Sequence, residues 1–96
     1  MTLYPAAVPA ARPALLVFAH GAGAGQHHPW MVRYAQVLAA RGIDVVTFDF
    51  PYIQAGRKVP DKAPVLEAAF RAAIVEAASR PPFRAHRLFL AGKSMG

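Results

Sequence analysis

The chain ends in Gly92-Lys93-Ser94-Met95-Gly96, which has the pattern Gly-x-Ser-x-Gly. A serine hydroxyl is a weak nucleophile unless it is exposed, held rigidly and placed beside a base. A sharp turn from a strand into a helix exposes and holds the serine, and small residues two positions before and after it let the turn close. The pattern is short, but here it directly follows an apolar run, as such a turn requires. We therefore predict that Ser94 is a catalytic nucleophile; the alternative is a plain turn with a surface serine.

A glycine-rich segment that begins at His20-Gly21-Ala22-Gly23 follows an earlier apolar run. Acyl transfer to a serine generates an oxyanion, which preorganised backbone N–H groups stabilise. A loop of this kind supplies one such donor, and the residue after the nucleophile supplies the other. Glycines allow the close backbone approach that this requires. We predict an oxyanion hole formed by the N–H groups of Ala22 and Met95; the alternative is a flexible glycine loop without a chemical role.

Other polar residues have less specific patterns. His20 is predicted to hold the shape of the glycine-rich loop, and proton transfer is the alternative. Asp49 is predicted to make a loop or cap hydrogen bond, with catalysis as the alternative. The adjacent His27 and His28 lack a third ligand at useful spacing, so we predict a surface loop and no metal site. His86 precedes the last apolar run, which places it at the end of the sheet opposite the site.

The sequence contains parts of two nucleotide-binding motifs but matches neither in full. Gly21-x-Gly23 followed by Asp49 has the outline of a dinucleotide fingerprint, but the third glycine position holds Gln26 and no helix begins there. Gly92-Lys93-Ser94 resembles the end of a phosphate-binding loop, but the first glycine of that motif would fall on Arg87. We therefore expect no cofactor.

The elements that carry these residues alternate between strands and helices. Short runs composed mainly of apolar and β-branched residues at 15–18, 44–48 and 87–91 are typical of buried parallel strands. Between them, one helix begins near Pro29, with Trp30, Tyr34, Val37 and Leu38 at helical spacing, and another begins at Pro64. This order predicts an α/β fold, a three-layer α/β/α arrangement with a parallel βαβαβ sheet. Right-handed crossovers bring the loops that follow the strands to one edge of the sheet, where ligands bind in such folds.

Composition narrows the class of protein further. The chain has 96 residues, of which 55% are hydrophobic and 17% charged, as expected for a globular domain. We predict an extended lead-in at 1–13 and the N-terminal part of one domain at 14–96. Cysteine is absent, which excludes disulfides and thiolate metal clusters.

The charge and hydropathy patterns indicate which partners to expect. Eleven basic against five acidic residues give a net charge of +6, but the basic residues are scattered, so we expect no nucleic-acid partner. No stretch approaches the roughly 20 apolar residues of a membrane span, and no secretory signal is evident, so we expect no membrane partner and a cytoplasmic location. The oligomeric state is not predicted.

Four stretches, LLVFAHGAGAG, VVTFDFPY, AGRKVPD and LFLAGKSMG, together resemble the α/β-hydrolase superfamily. The chain is similar to its dienelactone-hydrolase-like branch, which includes testis-expressed hydrolase-like proteins and a subunit of a histone acetyltransferase complex. The resemblance covers residues 14–96. It implies a mostly parallel sheet of about eight strands, of which this chain would hold the central ones.

The resemblance also implies a function. It points to a serine hydrolase that acts on an ester, thioester or related small acyl substrate through an acyl-enzyme on Ser94. The acid and the histidine of the triad follow the serine in chain order in this superfamily, so neither is assigned within the chain. The chain is accordingly expected to be an inactive N-terminal fragment that stops at the nucleophile. A non-catalytic binding or complex-subunit module on the same fold is the alternative.

Overall fold

The computed structural model describes residues 1–9, 11–21, 25–57, 59–83 and 86–92. In these ranges the chain forms β1 (Thr2–Tyr4), β2 (Ala14–Ala19), α1 (Pro29–Ala40), β3 (Asp44–Phe48), α2 (Pro51–Gln54), α3 (Ala63–Ala78) and β4 (Arg87–Gly92), with a turn of 3-10 helix at Pro81–Phe83. Helix α1 begins at Pro29, as the sequence indicated, and α3 begins at Ala63, one residue before the predicted Pro64; both prolines lie in the first helical turn, which proline suits. The short helix α2 lies in the connection between β3 and α3, where the sequence analysis predicted no helix.

The strands form one sheet in the order β1-β3-β2-β4. Strand β2 is parallel to both neighbours: Leu15 lies opposite Asp44 on one side and opposite Leu88 on the other. The carboxyl ends of β2, β3 and β4 therefore meet at one edge, and the α/β fold class is confirmed. Strand β1 adds an antiparallel edge, with Thr2 opposite Thr47, within the segment that was predicted to be a lead-in.

The two faces of the sheet are covered by different helices. On one face, Leu15 and Val17 belong to a buried cluster with Ala77 of α3. On the other face, Phe18 packs in a cluster with Met31 of α1. This alternation along β2 produces the three-layer arrangement, since successive side chains of a strand point to opposite faces. Each fully buried aliphatic side chain stabilises the fold by about 1.5–3 kcal/mol.

The side chains whose spacing predicted helix α1 are not the ones that it buries. Trp30, Tyr34 and Val37 recur at helical spacing, yet they remain 37%, 49% and 46% exposed. The buried face contains the smaller Ala35 and Ala39, together with Met31. Small residues let the helix approach β3 closely, and Trp30 and Tyr34 instead stack on one another at the side of α1, with ring centroids 4.9 Å apart.

At the amino edge of the sheet, Asp44 ties three segments together. Its Oδ1 accepts the backbone N–H of Ala6 at 2.8 Å, and its Oδ2 lies 2.9 Å from Nε2 of His86. The ring of Phe83 contacts that of His86 edge-on at 5.2 Å. His86 thus lies at the end of the sheet opposite the strand ends that carry the predicted site, as its position in the sequence indicated.

Strand β4 is an exposed edge of the sheet. Its residues Leu88, Phe89 and Leu90 are 44%, 47% and 55% exposed, although the sequence predicted a strand buried on both faces. The reason is geometric: among the described residues β4 pairs only with β2, and α1 packs mainly on β3. An apolar edge of this kind favours pairing with a further strand.

None of the helices in the described part of the chain combines the length and the hydropathy that crossing a membrane requires.

Candidate functional site

The segments that follow β2 and β3 lie side by side at the carboxyl edge of the sheet. Ala19, the last residue of β2, lies opposite Phe48 of β3 and opposite Gly92 of β4. The chain therefore leaves all three strands at the same level. Ser94 and Met95, and also Ala22, lie outside the described residues, so the site is built here from the residues that flank them.

His20 anchors the first residues of the loop after β2. Its side chain is completely buried, its Nδ1 lies 2.8 Å from the carbonyl oxygen of Gly21, and its Nε2 lies 3.0 Å from the backbone nitrogen of Phe50. A backbone N–H can only donate, so Nε2 is the acceptor and carries no proton. The proton is then on Nδ1, which donates to the carbonyl oxygen of Gly21. Both ring nitrogens are engaged with the backbone, as expected for a residue that holds the loop.

Two aromatic rings fix the orientation of His20. The ring of Phe50 meets the imidazole edge-on at a centroid distance of 4.9 Å, and that of Tyr52 does so at 5.8 Å. Both aromatic residues are buried. Edge-to-face contacts at these distances are favourable arrangements for rings. The imidazole is therefore held by contacts in several directions, and the backbone at Gly21 is held with it.

Asp49 anchors the other end of the same loop. Its Oδ1 accepts the backbone N–H of Gln26 at 2.7 Å, and its Oδ2 accepts the side-chain N–H of Gln26 at 3.3 Å. The Oε1 of Gln26 in turn accepts the hydroxyl hydrogen of Thr47 at 2.9 Å in the interior. Of the two roles considered for Asp49, these contacts support the loop hydrogen bond, because both carboxylate oxygens bind Gln26.

Gly25 lies beside the side chain of Asp49, where there is little room for a side chain. A Cβ atom added there would lie 2.6 Å from Oδ1 of Asp49 and 2.9 Å from a methyl group of Ile53. Both distances are shorter than van der Waals contact allows, so a side chain at Gly25 requires either the loop or the side chains of Asp49 and Ile53 to shift. The glycine thus serves a close approach between two segments.

The other two histidines near this loop, His27 and His28, lie at the surface. The Nδ1 of His28 accepts the backbone N–H of Trp30 at 3.2 Å and so caps α1. His27 is exposed. Within the part of the chain that the structure describes, no three His, Cys, Asp or Glu side chains are grouped closely enough to hold a metal ion.

Comparison with known protein families adds to this geometry. A family model described as an alpha/beta hydrolase domain matches residues 12–96. The chain belongs to the alpha/beta hydrolase domain family. The comparison with curated proteins gives no match.

Membership of the alpha/beta hydrolase domain family supports a hydrolase-type function for the chain. In this family member the loop after β2 is fastened at both ends to neighbouring residues, Asp49 and Phe50. The dinucleotide alternative finds no support in the fold. Gln26 occupies the position of the third glycine and is committed to Asp49, and α1 begins only at Pro29.

The sequence did not predict the roles of Gln26, Thr47 and Tyr52 at this edge of the sheet. A signal was present for Thr47, which is the polar residue in the apolar run 45–48 and is completely buried. A buried hydroxyl needs a partner, so its position pointed to a hydrogen bond with a neighbouring segment. For Gln26 no signal in the sequence distinguished a buried amide from a loop residue in solvent.

Removing the His20 ring should destabilise the protein strongly. We expect His20→Ala to lower the free energy of unfolding by about 3–5 kcal/mol, because it leaves the buried N–H of Phe50 without its acceptor and opens a cavity. His20→Phe, which restores the volume but not the hydrogen bonds, should lose less. Urea denaturation of the purified protein measures both.

His27→Ala is the matched control, since His27 is exposed in the same loop. Its free energy of unfolding should stay within about 0.5 kcal/mol of the wild-type value. If His20→Ala were as mild as His27→Ala, the hydrogen bonds of His20 would not hold the loop.

Proposed function

We propose that the chain carries the nucleophile and the oxyanion hole of a serine hydrolase that acts on an ester, thioester or related small acyl substrate. One observation supports this most directly. Strand β4 runs without a gap into the Gly-x-Ser-x-Gly segment, at the same edge where His20 anchors the loop that precedes Ala22. A strand that leads into such a segment beside a second, glycine-rich loop is the arrangement that acyl transfer to serine uses.

In the proposed mechanism the Oγ of Ser94 attacks the carbonyl carbon of the substrate while a histidine base takes the hydroxyl proton. The carbonyl oxygen becomes an oxyanion that accepts hydrogen bonds from the N–H groups of Ala22 and Met95. The histidine then protonates the leaving group, and an acyl-enzyme on Ser94 remains. A water molecule, deprotonated by the same histidine, hydrolyses that ester and restores the serine.

The base in this proposal is not His20. Its Nε2 accepts the N–H of Phe50 and its Nδ1 donates to Gly21, so neither nitrogen is available to the hydroxyl of Ser94. His86 is bound to Asp44 at the opposite edge of the sheet. The order implied by the resemblance to dienelactone-hydrolase-like proteins has the acid and the histidine after the serine, and the proposal follows that order. Residues 1–96 alone are therefore expected to be inactive.

A fluorophosphonate probe tests the proposal, because it reacts covalently with activated serines. We expect the full-length protein to take up one probe molecule, and peptide mapping to locate it on Ser94. The chain has one other serine, Ser79, whose Oγ donates to the carbonyl oxygen of Glu76 at 3.0 Å on the surface of α3. An adduct on Ser79, or none in folded protein, would refute the nucleophile and favour a non-catalytic module on the same fold.

A further inference from the structure

The loop after β2 is fastened at both ends to the same dipeptide. On one side, Nε2 of His20 accepts the N–H of Phe50 at 3.0 Å. On the other side, Oδ1 of Asp49 accepts the N–H of Gln26 at 2.7 Å. Ala22, the proposed oxyanion donor, lies between these two anchors in the sequence. The position of Asp49-Phe50 at the end of β3 therefore sets where both flanks of the Ala22 segment lie.

The anchor on the Gln26 side is the more specific one. A carboxylate that accepts two N–H groups makes charge-assisted hydrogen bonds, which are shorter and stronger than neutral ones. The hydroxyl of Thr47 then fixes the amide orientation of Gln26 from the interior of the sheet. A Cβ atom at Gly25 would lie only 2.6 Å from Oδ1 of Asp49, so a side chain there would disturb this contact. The three contacts together define one position for this flank.

We propose that Asp49 is a positioning residue for the oxyanion hole: it holds the loop after β2 so that the N–H of Ala22 faces the acyl carbonyl oxygen. The proposal rests on the proposed serine hydrolase function. Asp49 does not act on the substrate, because its two oxygens bind Gln26. Oxyanion donors accelerate a reaction only where they are preorganised, and a displacement of about 1 Å can lower the rate about 100-fold.

Asp44 provides a matched control at the other end of the same strand. Each of the two aspartates accepts one backbone N–H, from Ala6 at 2.8 Å and from Gln26 at 2.7 Å. Each also contacts one side-chain nitrogen, of His86 at 2.9 Å and of Gln26 at 3.3 Å. Alanine at either position removes a similar set of hydrogen bonds, but only the one at Asp49 lies beside the proposed site. Lost stability and lost positioning can therefore be separated.

The experiment measures kcat and KM for a p-nitrophenyl ester in the full-length protein, with the active enzyme counted by fluorophosphonate titration of Ser94. We expect Asp49→Ala to lower kcat per titrated serine by about 10- to 100-fold with little change in KM. Asp44→Ala should leave kcat per titrated serine unchanged. If Asp49→Ala fails to fold, Gln26→Met is the second variant, since it keeps the backbone N–H and loses only the side-chain bonds; its loss of kcat should be smaller.

Asp49→Asn tests the geometry without the charge. The asparagine Oδ1 still accepts the N–H of Gln26, and its Nδ2 donates to Oε1 of Gln26 once that amide rotates by half a turn. The Nε2 of Gln26 then donates to the hydroxyl oxygen of Thr47, which accepts as readily as it donates. We therefore expect Asp49→Asn to recover most of the kcat that Asp49→Ala loses.

Each outcome decides between the two claims. A wild-type protein that is not labelled overturns the proposed function, and the role of Asp49 with it. If the wild-type protein is labelled, three results would overturn the positioning role alone. They are an unchanged kcat in Asp49→Ala, an equal loss of kcat in Asp44→Ala, or an effect of Asp49→Ala on KM instead of kcat.

Discussion

Replacing Ser94 with alanine should lower kcat for acyl substrates by about six orders of magnitude, the loss seen when the nucleophile of a catalytic triad is removed. The reason is that the histidine and the oxyanion hole act on a reaction that begins at the serine oxygen. Without that oxygen no acyl-enzyme forms, and only weak residual catalysis by the binding site remains. Turnover of a p-nitrophenyl ester by the protein, at matched folded concentration, measures the loss.

Ser79→Ala is the control for this prediction. Ser79 follows the last residue of α3, is exposed, and donates to the carbonyl oxygen of Glu76. Its replacement should leave kcat unchanged and the free energy of unfolding within about 0.5 kcal/mol. Equal turnover by Ser94→Ala and the wild type would show that the reaction does not pass through Ser94, and a second nucleophile would have to be sought.

Local pattern was sufficient to predict the central elements of the fold. The runs at 15–18 and 44–48 are apolar because both faces of β2 and β3 are covered, and this burial is visible in the sequence. Strand β1 was missed because its three residues carry no alternation that distinguishes a strand from an extended lead-in. Its position is fixed by long-range contacts, the antiparallel pairing with β3 and the nearby hydrogen bond from Ala6 to Asp44, which no local pattern reports.

The exposure of β4 shows a second kind of limit. Leu88, Phe89 and Leu90 have the composition of a buried strand, but burial depends on what covers the strand as well as on the strand itself. In helix α1 the same limit appears in reverse, because the small Ala35 and Ala39 are buried whereas the larger Tyr34 is exposed. The residue types of a segment indicate that it can be buried, but the packing of the neighbouring elements decides which of its side chains are buried.

At the site, the sequence predicted the loop role of His20 and of Asp49 but not their partners. Partners such as Phe50 for His20 and Gln26 for Asp49 lie 30 and 23 residues away in the chain. Contacts at such separations follow from strand register, which is known only once the sheet is assembled. The oxyanion donors Ala22 and Met95 and the nucleophile Ser94 stay predictions, since they lie outside the described residues.

Proline at Ala22 should have the second-largest effect. Ala22→Pro removes the backbone N–H proposed to donate to the oxyanion, and losing one such donor costs about 10²- to 10³-fold in kcat. The flanks of the segment are held by His20 and by Gln26, so the change is confined to the loop. Kinetics of ester hydrolysis, with active sites counted by fluorophosphonate titration, should show the loss in kcat more than in KM.

Ala22→Gly separates the lost donor from the lost methyl group. Glycine keeps the N–H, so kcat should remain close to the wild-type value, whereas proline both removes the donor and fixes φ near −65°. A further comparison uses the anchor. If Asp49 positions the donor at Ala22, then Asp49→Ala should cost little more once Ala22→Pro is present, because two changes that act through one hydrogen bond are not additive. Independent, additive losses would assign the donor and the anchor to different steps. Unchanged hydrolysis by Ala22→Pro alone would mean that the second donor of the oxyanion hole is another residue.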